Sequence, residues 1–183
     1  KERAMFRNIK NLFVLLCLLV MSMVAYSAVK VPGKVTFDGE AYTQAEQTKE
    51  DGYIGTAYLK NGLSLDGSTK VIVITEFSEI TEVEELANKM VQNHKEEAPH
   101  LPRRMNLSVD KKEAVGDFIV TKGAYSEYSA VKILKKKNVV ISYAYYFINE
   151  NGNNKNSYDS WLDQIDENRE KWAQEISKAD FIK

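Results

Sequence analysis

The chain has 183 residues, of which 44% are hydrophobic and 28% are charged, and its formal net charge is −1. This length and composition fit one globular domain, and the near-neutral charge argues against nucleic acid as a partner, because such binding needs a basic surface. The only cysteine, Cys17, lies in the apolar leader described next. Thiol catalysis and cysteine-ligated zinc are therefore excluded for the rest of the chain.

The beginning of the chain has the pattern of an export signal. Residues 12–25 (LFVLLCLLVMSMVA) carry no charge and no proline; Arg7 and Lys10 precede them, and the small residues Ala25 and Ser27 stand at the end of the leader. A basic segment, an apolar segment and small residues before a cleavage point are typical of a secretory signal peptide. We therefore predict that the protein is periplasmic or secreted.

Two alternatives to a cleaved signal stay open. The uncharged stretch over residues 12–28 is 17 residues long, which is short against the ~20 residues that cross a bilayer as a helix, so a retained anchor is the weaker interpretation. Lipid attachment to Cys17 requires a small residue before the cysteine, whereas Leu16 stands there. We expect a signal peptide over residues 1–27, one α+β domain over residues 28–183, and no stable membrane anchor after cleavage.

Four strands are predicted in the first half of the domain. Residues 33–44 have a hairpin pattern, with two strands joined by Asp38-Gly39, a dipeptide that favours tight turns between antiparallel strands. A third strand is predicted over residues 53–59 and a fourth over residues 69–77 (TKVIVITEF). The fourth is apolar on both faces, which is typical of a central strand that is covered above and below.

A helix is predicted next. Thr81 and Glu84 have the spacing of a capping box, in which each side chain binds a free backbone N–H of the first turn. Apolar residues then recur at helical spacing from Val83 to Val91. Ala98 precedes a proline and is expected to end the helix, because the residue before proline is pushed out of the α region.

Four more strands and a long helix are predicted in the second half of the domain. The strands are expected over residues 105–109, 115–122, 128–136 and 139–148. The last two are expected to form a hairpin over Lys137-Asn138.

The final helix is predicted over residues 158–178, with an apolar stripe of Trp161, Ile165, Trp172 and Ile176. Arg169 fills a gap in this stripe, where its stem is expected to cover apolar surface while its charged head reaches water. The order of elements indicates an α+β fold. We expect an antiparallel sheet of about six to seven strands with a helix on each face, which is an α/β/α sandwich.

Two histidines and two adjacent arginines are the candidate polar sites. His94 lies near the apolar stripe of the first helix, so we predict a half-buried, hydrogen-bonded histidine; a metal site shared with His100 is disfavoured because a proline separates them. The loop over residues 99–104 (PHLPRR) is stiff and basic, and adjacent arginines bind carboxylate or phosphate groups. We predict that His100, Arg103 and Arg104 form part of an anion or partner contact, with an ordinary solvated loop as the alternative.

No catalytic motif stands out. The chain has no GxSxG nucleophile elbow, no HExxH metal motif, no phosphate-binding glycine loop and no dinucleotide fingerprint. Acidic residues are plentiful, so a carboxylate pair for glycoside cleavage stays open as an alternative. We predict no catalytic residue, no cofactor and no metal site.

One resemblance adds to these observations. The segment over residues 66–77 (DGSTKVIVITEF), in which a loop leads into the central strand, resembles small exported bacterial proteins, and the pattern of Trp161, Arg169 and Trp172 is similar to their last helix. With the strand–helix–strand–helix order, most of residues 34–180 resembles the PsbP/DcrB-like proteins of the α/β/α sandwich type. The resemblance implies a non-enzymatic accessory or binding domain of the bacterial envelope, and it implies no active-site residues.

Three functional hypotheses follow. The first is an exported, non-enzymatic binding module with a protein or cell-surface partner. The second is a small carboxylate-dependent envelope hydrolase, which predicts a cleft with two facing acidic side chains. The third is a carrier of a lipid or other apolar ligand, bound between the sheet and a helix.

Overall fold

The computed structural model of the chain describes residues 29–60, 63 and 68–182. The predicted signal peptide over residues 1–27 lies outside the described residues. Within them the elements are, in chain order, β1 (Lys34–Phe37), β2 (Glu40–Glu50), β3 (Tyr53–Lys60), β4 (Lys70–Phe77), α1 (Val83–Glu97), β5 (Arg103–Leu107), β6 (Glu113–Lys122), β7 (Tyr125–Lys136), β8 (Val139–Asn149) and α2 (Lys155–Lys178).

All of these strands belong to one eight-stranded antiparallel sheet, in the order β1-β2-β3-β4-β8-β7-β6-β5. The predicted α+β class is confirmed, but the expected count of about six to seven strands is wrong. All eight strand segments predicted one by one pair in the sheet, including the two short edge strands, β1 with four residues and β5 with five, so the lower total left out segments that do pair. Short edge strands expose few unpaired backbone groups and so resist pairing with other chains.

Both predicted two-residue turns are confirmed. Asp38 and Gly39 join β1 to β2 with φ angles of 52° and 70°, and Lys137 and Asn138 join β7 to β8 with φ angles of 50° and 65°. Positive φ at both central residues is the geometry that matches the twist of antiparallel strands. β4 lies between β3 and β8, so it is a central strand, as its apolar sequence predicted.

The main core lies between the sheet and α2. The inward side chains of β8 are Ile141, Tyr143, Tyr145 and Phe147, and α2 contributes its predicted stripe of Trp161, Ile165, Trp172 and Ile176, all buried. Burying an apolar side chain of this size stabilises the fold by roughly 1.5–3 kcal/mol. The strand and helix periodicities therefore identified the residues that hold α2 on the sheet.

The sheet is strongly curled rather than flat. The rings of Phe37 on β1 and Tyr145 on β8 are stacked with centroids 4.6 Å apart, although three strands lie between β1 and β8 in the sheet. In a flat sheet, spacings of about 4.8 Å per strand would separate them by roughly 19 Å. The β1–β2 hairpin therefore shares the cover of this face with α2. The expected α/β/α sandwich with a helix on each face is wrong in this respect, because a helix and a hairpin together cover this face.

The first helix packs against β5, β6 and β7 through sheet side chains that alternate with those facing α2. The predicted capping box is wrong: α1 begins at Val83 after Glu82, and no side chain caps it, so Thr81 lies one residue outside the capping position. The predicted end is confirmed, because Ala98 follows the last turn and its backbone N–H donates to the His94 carbonyl at 2.8 Å. Neither helix of the described residues is long and apolar enough to cross a bilayer.

Candidate binding site

A cleft of about 220 Å³ lies between α1 and the sheet. The register of β6 and β7 places Phe118 opposite Ser129 and Val120 opposite Glu127 on its floor. α1 forms the opposite wall with residues three and four positions apart, which share one face of a helix. Most of the lining is apolar and includes Phe77, Leu86, Met90, Phe118, Val131 and Tyr146.

One end of the cleft is polar. Asn93, His94 and Glu97 come from the last turns of α1, and Glu127 and Ser129 come from the facing part of β7. The other end is formed by the apolar beginning of α1 and the strands beneath it. The cleft is therefore apolar at one end and polar at the other, which suits a ligand with an apolar body and a polar head group.

His94 is the most constrained polar group of this end. Its side chain is buried at 5% exposure, its Nε2 lies 2.7 Å from the carbonyl oxygen of Ile119, and its ring packs on Phe118 with centroids 5.2 Å apart. A carbonyl oxygen only accepts, so Nε2 carries the hydrogen and Nδ1 of the neutral ring is an acceptor. Nδ1 is buried without a hydrogen-bond partner among the described residues.

The prediction of a hydrogen-bonded His94 is thus confirmed for one nitrogen, and the side chain is more buried than expected. The second histidine of the described chain, His100, lies exposed beyond the end of α1. Among residues 29–60, 63 and 68–182, no group of three or more His, Cys, Asp or Glu side chains is placed to hold a metal ion.

Glu127 is the second polar group of this end, and no local sequence pattern predicted it. The Tyr125 hydroxyl donates to its Oε2 at 2.5 Å. Burial is the main reason that the pKa of Glu127 is raised to about 7, and the nearby charge of Glu97 adds to it, while the Tyr125 hydroxyl and Lys122 oppose the rise. The predicted strand began at residue 128, so Glu127 fell outside the alternating pattern that would have placed it inward.

The structure directs the two arginines of the predicted anion or partner contact, which also includes His100, to opposite faces of one strand. Arg103 and Arg104 are the first residues of β5, and neighbours on a strand point to opposite faces. The Arg104 guanidinium already binds Asp117, with Nε at 2.9 Å, and Glu170 at 2.8 Å, whereas the Arg103 guanidinium donates to the Pro99 carbonyl at 3.4 Å. The two guanidinium groups therefore do not face one common anion. An anion or partner contact that involves all three residues remains a prediction.

A buried carboxylate on the face of the sheet that packs against α2 is the other polar feature that was not predicted from the sequence. Asp117 on β6 is 1% exposed and binds the guanidinium groups of Arg104 and Arg169. Arg169 was expected to extend its head into water; instead the head points inward to Asp117, with its side chain 21% exposed. This cluster ties β5, β6 and α2 together and leaves the carboxylate no room for a ligand.

The fold and the cleft together define an α+β protein with a curled antiparallel sheet and a ligand-sized cleft beneath its first helix. A protein-family model matches residues 29–181, and the chain belongs to this family. No curated protein matches the chain. Because the match includes both helices and all eight strands, every residue that lines the cleft lies inside the family's domain.

Proposed function

We propose that the protein is an exported, non-enzymatic binding module whose ligand is a small molecule with an apolar body, held in the cleft between α1 and the sheet. The observation that carries the proposal is the cleft itself, with about 220 Å³ of space and a mostly apolar lining. A closed apolar cavity of roughly 150 Å³ accommodates benzene. A ligand built around one aromatic ring or a short alkyl chain therefore fits this space.

Export and the non-enzymatic role rest on the sequence. The leader over residues 1–27 supports a site of action outside the cytoplasm, and the resemblance to PsbP/DcrB-like proteins supports an accessory or binding role in the envelope. A protein or cell-surface partner remains part of this proposal.

A ligand titration tests the proposal. The full chain, expressed with its own leader and purified, is titrated with 2-phenylethanol and followed by backbone amide chemical shifts. We expect saturable shifts at the cleft, and loss of binding in Val120→Trp, because Val120 is a half-buried lining residue and the larger ring would fill the space. The matched control is Val73→Trp, a half-buried valine of β4 outside the lining, which should bind normally. Equal binding by both variants would place the ligand elsewhere.

A second candidate is a carboxylate-dependent hydrolase, and one observation favours it. Glu127, with a pKa raised by burial to about 7, and Glu97 both line the cleft, and paired carboxyl groups with separated pKa values perform general acid and base catalysis. Against it, Glu97 is already in an ion pair with Lys122 at 3.2 Å. Turnover of nitrophenyl glycosides that is lost in Glu127→Gln would establish this function in place of the first.

A further inference from the structure

Two acceptor groups of residues at the polar end of the cleft are incompletely paired. His94 Nδ1 is buried without a hydrogen-bond partner among the described residues. Glu127 binds the Tyr125 hydroxyl, and within the described part of the chain no lysine or arginine forms an ion pair with it. Two lysines of this region form other ion pairs: Lys122 pairs with Glu97 at 3.2 Å and Lys89 with Glu85 at 2.8 Å.

We infer that the ligand is a small amine with an apolar body, whose ammonium group binds the Glu127 carboxylate and the His94 Nδ1 atom. This inference rests on the proposed function and names the chemical class of its ligand. An ammonium group has three donors and no acceptor, so it supplies what both atoms lack. Its charge also compensates a carboxylate that forms no ion pair with a lysine or arginine of the described residues and that lies in a mostly apolar cleft.

Other head groups satisfy this end of the cleft less well. A hydroxyl donates a single hydrogen bond, so it would leave either Nδ1 of His94 or the charge of Glu127 without a partner. A carboxylate has no donor when ionised and would be repelled by both Glu127 and Glu97. The size of the cleft limits the body to roughly one aromatic ring or a comparable alkyl chain.

Three probes with the same body and different heads test the inference: 2-phenylethylamine, 2-phenylethanol and 3-phenylpropionate, each titrated into the full-length protein at pH 8 by calorimetry. We expect the amine to bind at least about tenfold more tightly than the alcohol, because a charge-assisted hydrogen bond is stronger than a neutral one. The carboxylate should bind more weakly than the alcohol. An alcohol or a carboxylate that binds as tightly as the amine would overturn the inference.

Two variants assign the preference to Glu127. Glu127→Gln keeps an acceptor for the Tyr125 hydroxyl but has no charge, and it should reduce the amine's advantage over the alcohol to within about twofold. Glu96→Gln is the matched control, an exposed glutamate of α1 outside the lining, and it should keep the full preference. An amine preference that persists in Glu127→Gln would refute the inference.

The two proposals fail in distinguishable ways. If the alcohol binds, and Val120→Trp but not Val73→Trp abolishes that binding, the cleft is a site for apolar ligands even where the amine shows no advantage. If none of the three probes binds, both the amine inference and the proposed function are overturned. Circular dichroism of each variant establishes that it is folded before its binding is compared.

Discussion

The carboxylate of Asp117 on β6 accepts two hydrogen bonds from the guanidinium of Arg169 on α2, at 2.5 Å and 3.2 Å, although 52 positions separate them in the chain. Arg104 on β5 binds the same carboxylate through Nε at 2.9 Å. Because Asp117 is 1% exposed, its charge depends on these two cations for compensation. This shared carboxylate fixes the position of α2 along the sheet.

Removal of Arg169 should therefore destabilise the fold. Arg169→Met keeps an apolar stem over the core but leaves Asp117 with one cation, and we expect the free energy of unfolding to fall by about 2–3 kcal/mol. Urea unfolding at pH 7 measures this change in the free energy of unfolding. The control, Arg103→Met, removes a guanidinium whose contact is a 3.4 Å approach to the Pro99 carbonyl, so its effect should stay within about 0.5 kcal/mol. Equal losses in both variants would contradict the structural role of Asp117.

The same cluster predicts a loss of stability in acid. Burial alone would raise the pKa of Asp117, but the hydrogen bonds from Arg169 and Arg104 outweigh it and hold the pKa below its ordinary value of 3.8. A carboxyl group with a lowered folded-state pKa contributes stability that is present above the unfolded value and is lost as pH falls through the folded value. The stability difference between the wild type and Asp117→Asn should thus be constant from about pH 5 to 7 and shrink below about pH 4.

Urea midpoints of both proteins at pH 7, 5, 4 and 3 give this comparison. Using a difference between two proteins removes the contribution of the other carboxyl groups that titrate in the same range. A difference that stays constant to pH 3 would mean that folding leaves the pKa of Asp117 unchanged, so that the two arginines do not favour its ionised form.

Local signals explain which parts of the fold were predictable. The Asp38-Gly39 and Lys137-Asn138 turns depend on the φ preferences of two residues, and the Trp161 to Ile176 stripe depends on helical periodicity within α2. The curl of the sheet depends on the packing of Phe37 against Tyr145. No local pattern encodes a contact between strands so far apart in the sheet.

The polar residues also differ in whether the local sequence predicts their environment. His94 stood out because a histidine on an apolar helix face is locally visible. Arg169 had two possible environments, water or a buried partner, and its own neighbourhood in the sequence did not distinguish them. To predict the environment of Glu127, one must know where β7 begins and that α1 lies over it. Both follow only from the assembled sheet.

The turn that closes the curled sheet provides a further prediction. The Asp38 carboxylate accepts a hydrogen bond from Trp172 Nε1 at 3.0 Å and pairs with Lys171. Asp38→Ala removes the acceptor from a buried indole N–H and should lower the free energy of unfolding by about 1–3 kcal/mol. Asp38→Asn is the matched variant, because its amide oxygen still accepts and asparagine tolerates the positive φ of 52° at this position.

Tryptophan fluorescence during urea unfolding reads out this pair of variants. Trp172 is buried in the native core, so its emission reports the state of the hairpin that covers it. We expect Asp38→Asn to unfold close to the wild type and Asp38→Ala well before it. The reverse order would show that the Trp172 hydrogen bond does not hold the hairpin in place.

The half-buried Glu127 should reduce stability at high pH. Its pKa is raised, mainly by burial, from 4.5 to about 7. A carboxyl group with a raised folded-state pKa contributes stability that is full below the unfolded value and is lost as pH rises through the folded value. Glu127→Gln does not ionise, so its advantage over the wild type should grow by about 2 kcal/mol between pH 5 and pH 8. Glu96→Gln should show no such trend, and an unchanged Glu127→Gln advantage would mean that the carboxyl is well solvated.

Ligand binding should depend on pH in the opposite sense. Besides Glu127, the titratable groups that line or adjoin the cleft are Lys89, His94 and Glu97 of α1, Lys122 of β6, Tyr125 of β7 and Tyr146 of β8. An alkylamine has a pKa near that of lysine, about 10.4, and stays charged below pH 9. Ionisation of Glu127 around pH 7 therefore creates the charge that an amine needs, and the affinity for 2-phenylethylamine should rise about tenfold from pH 6 to pH 8.

Calorimetric titrations at pH 6, 7 and 8 measure this rise, and 2-phenylethanol provides the neutral comparison. The affinity for the alcohol should change little over the same pH range, because its binding needs no ionised partner. The Glu127→Gln variant should bind the amine with nearly the same weak affinity at all three pH values. The Glu96→Gln variant should show the same rise in affinity as the wild type. A rise with pH that survives in Glu127→Gln would assign the titration to another group of the cleft, since the glutamine at 127 has no proton to lose.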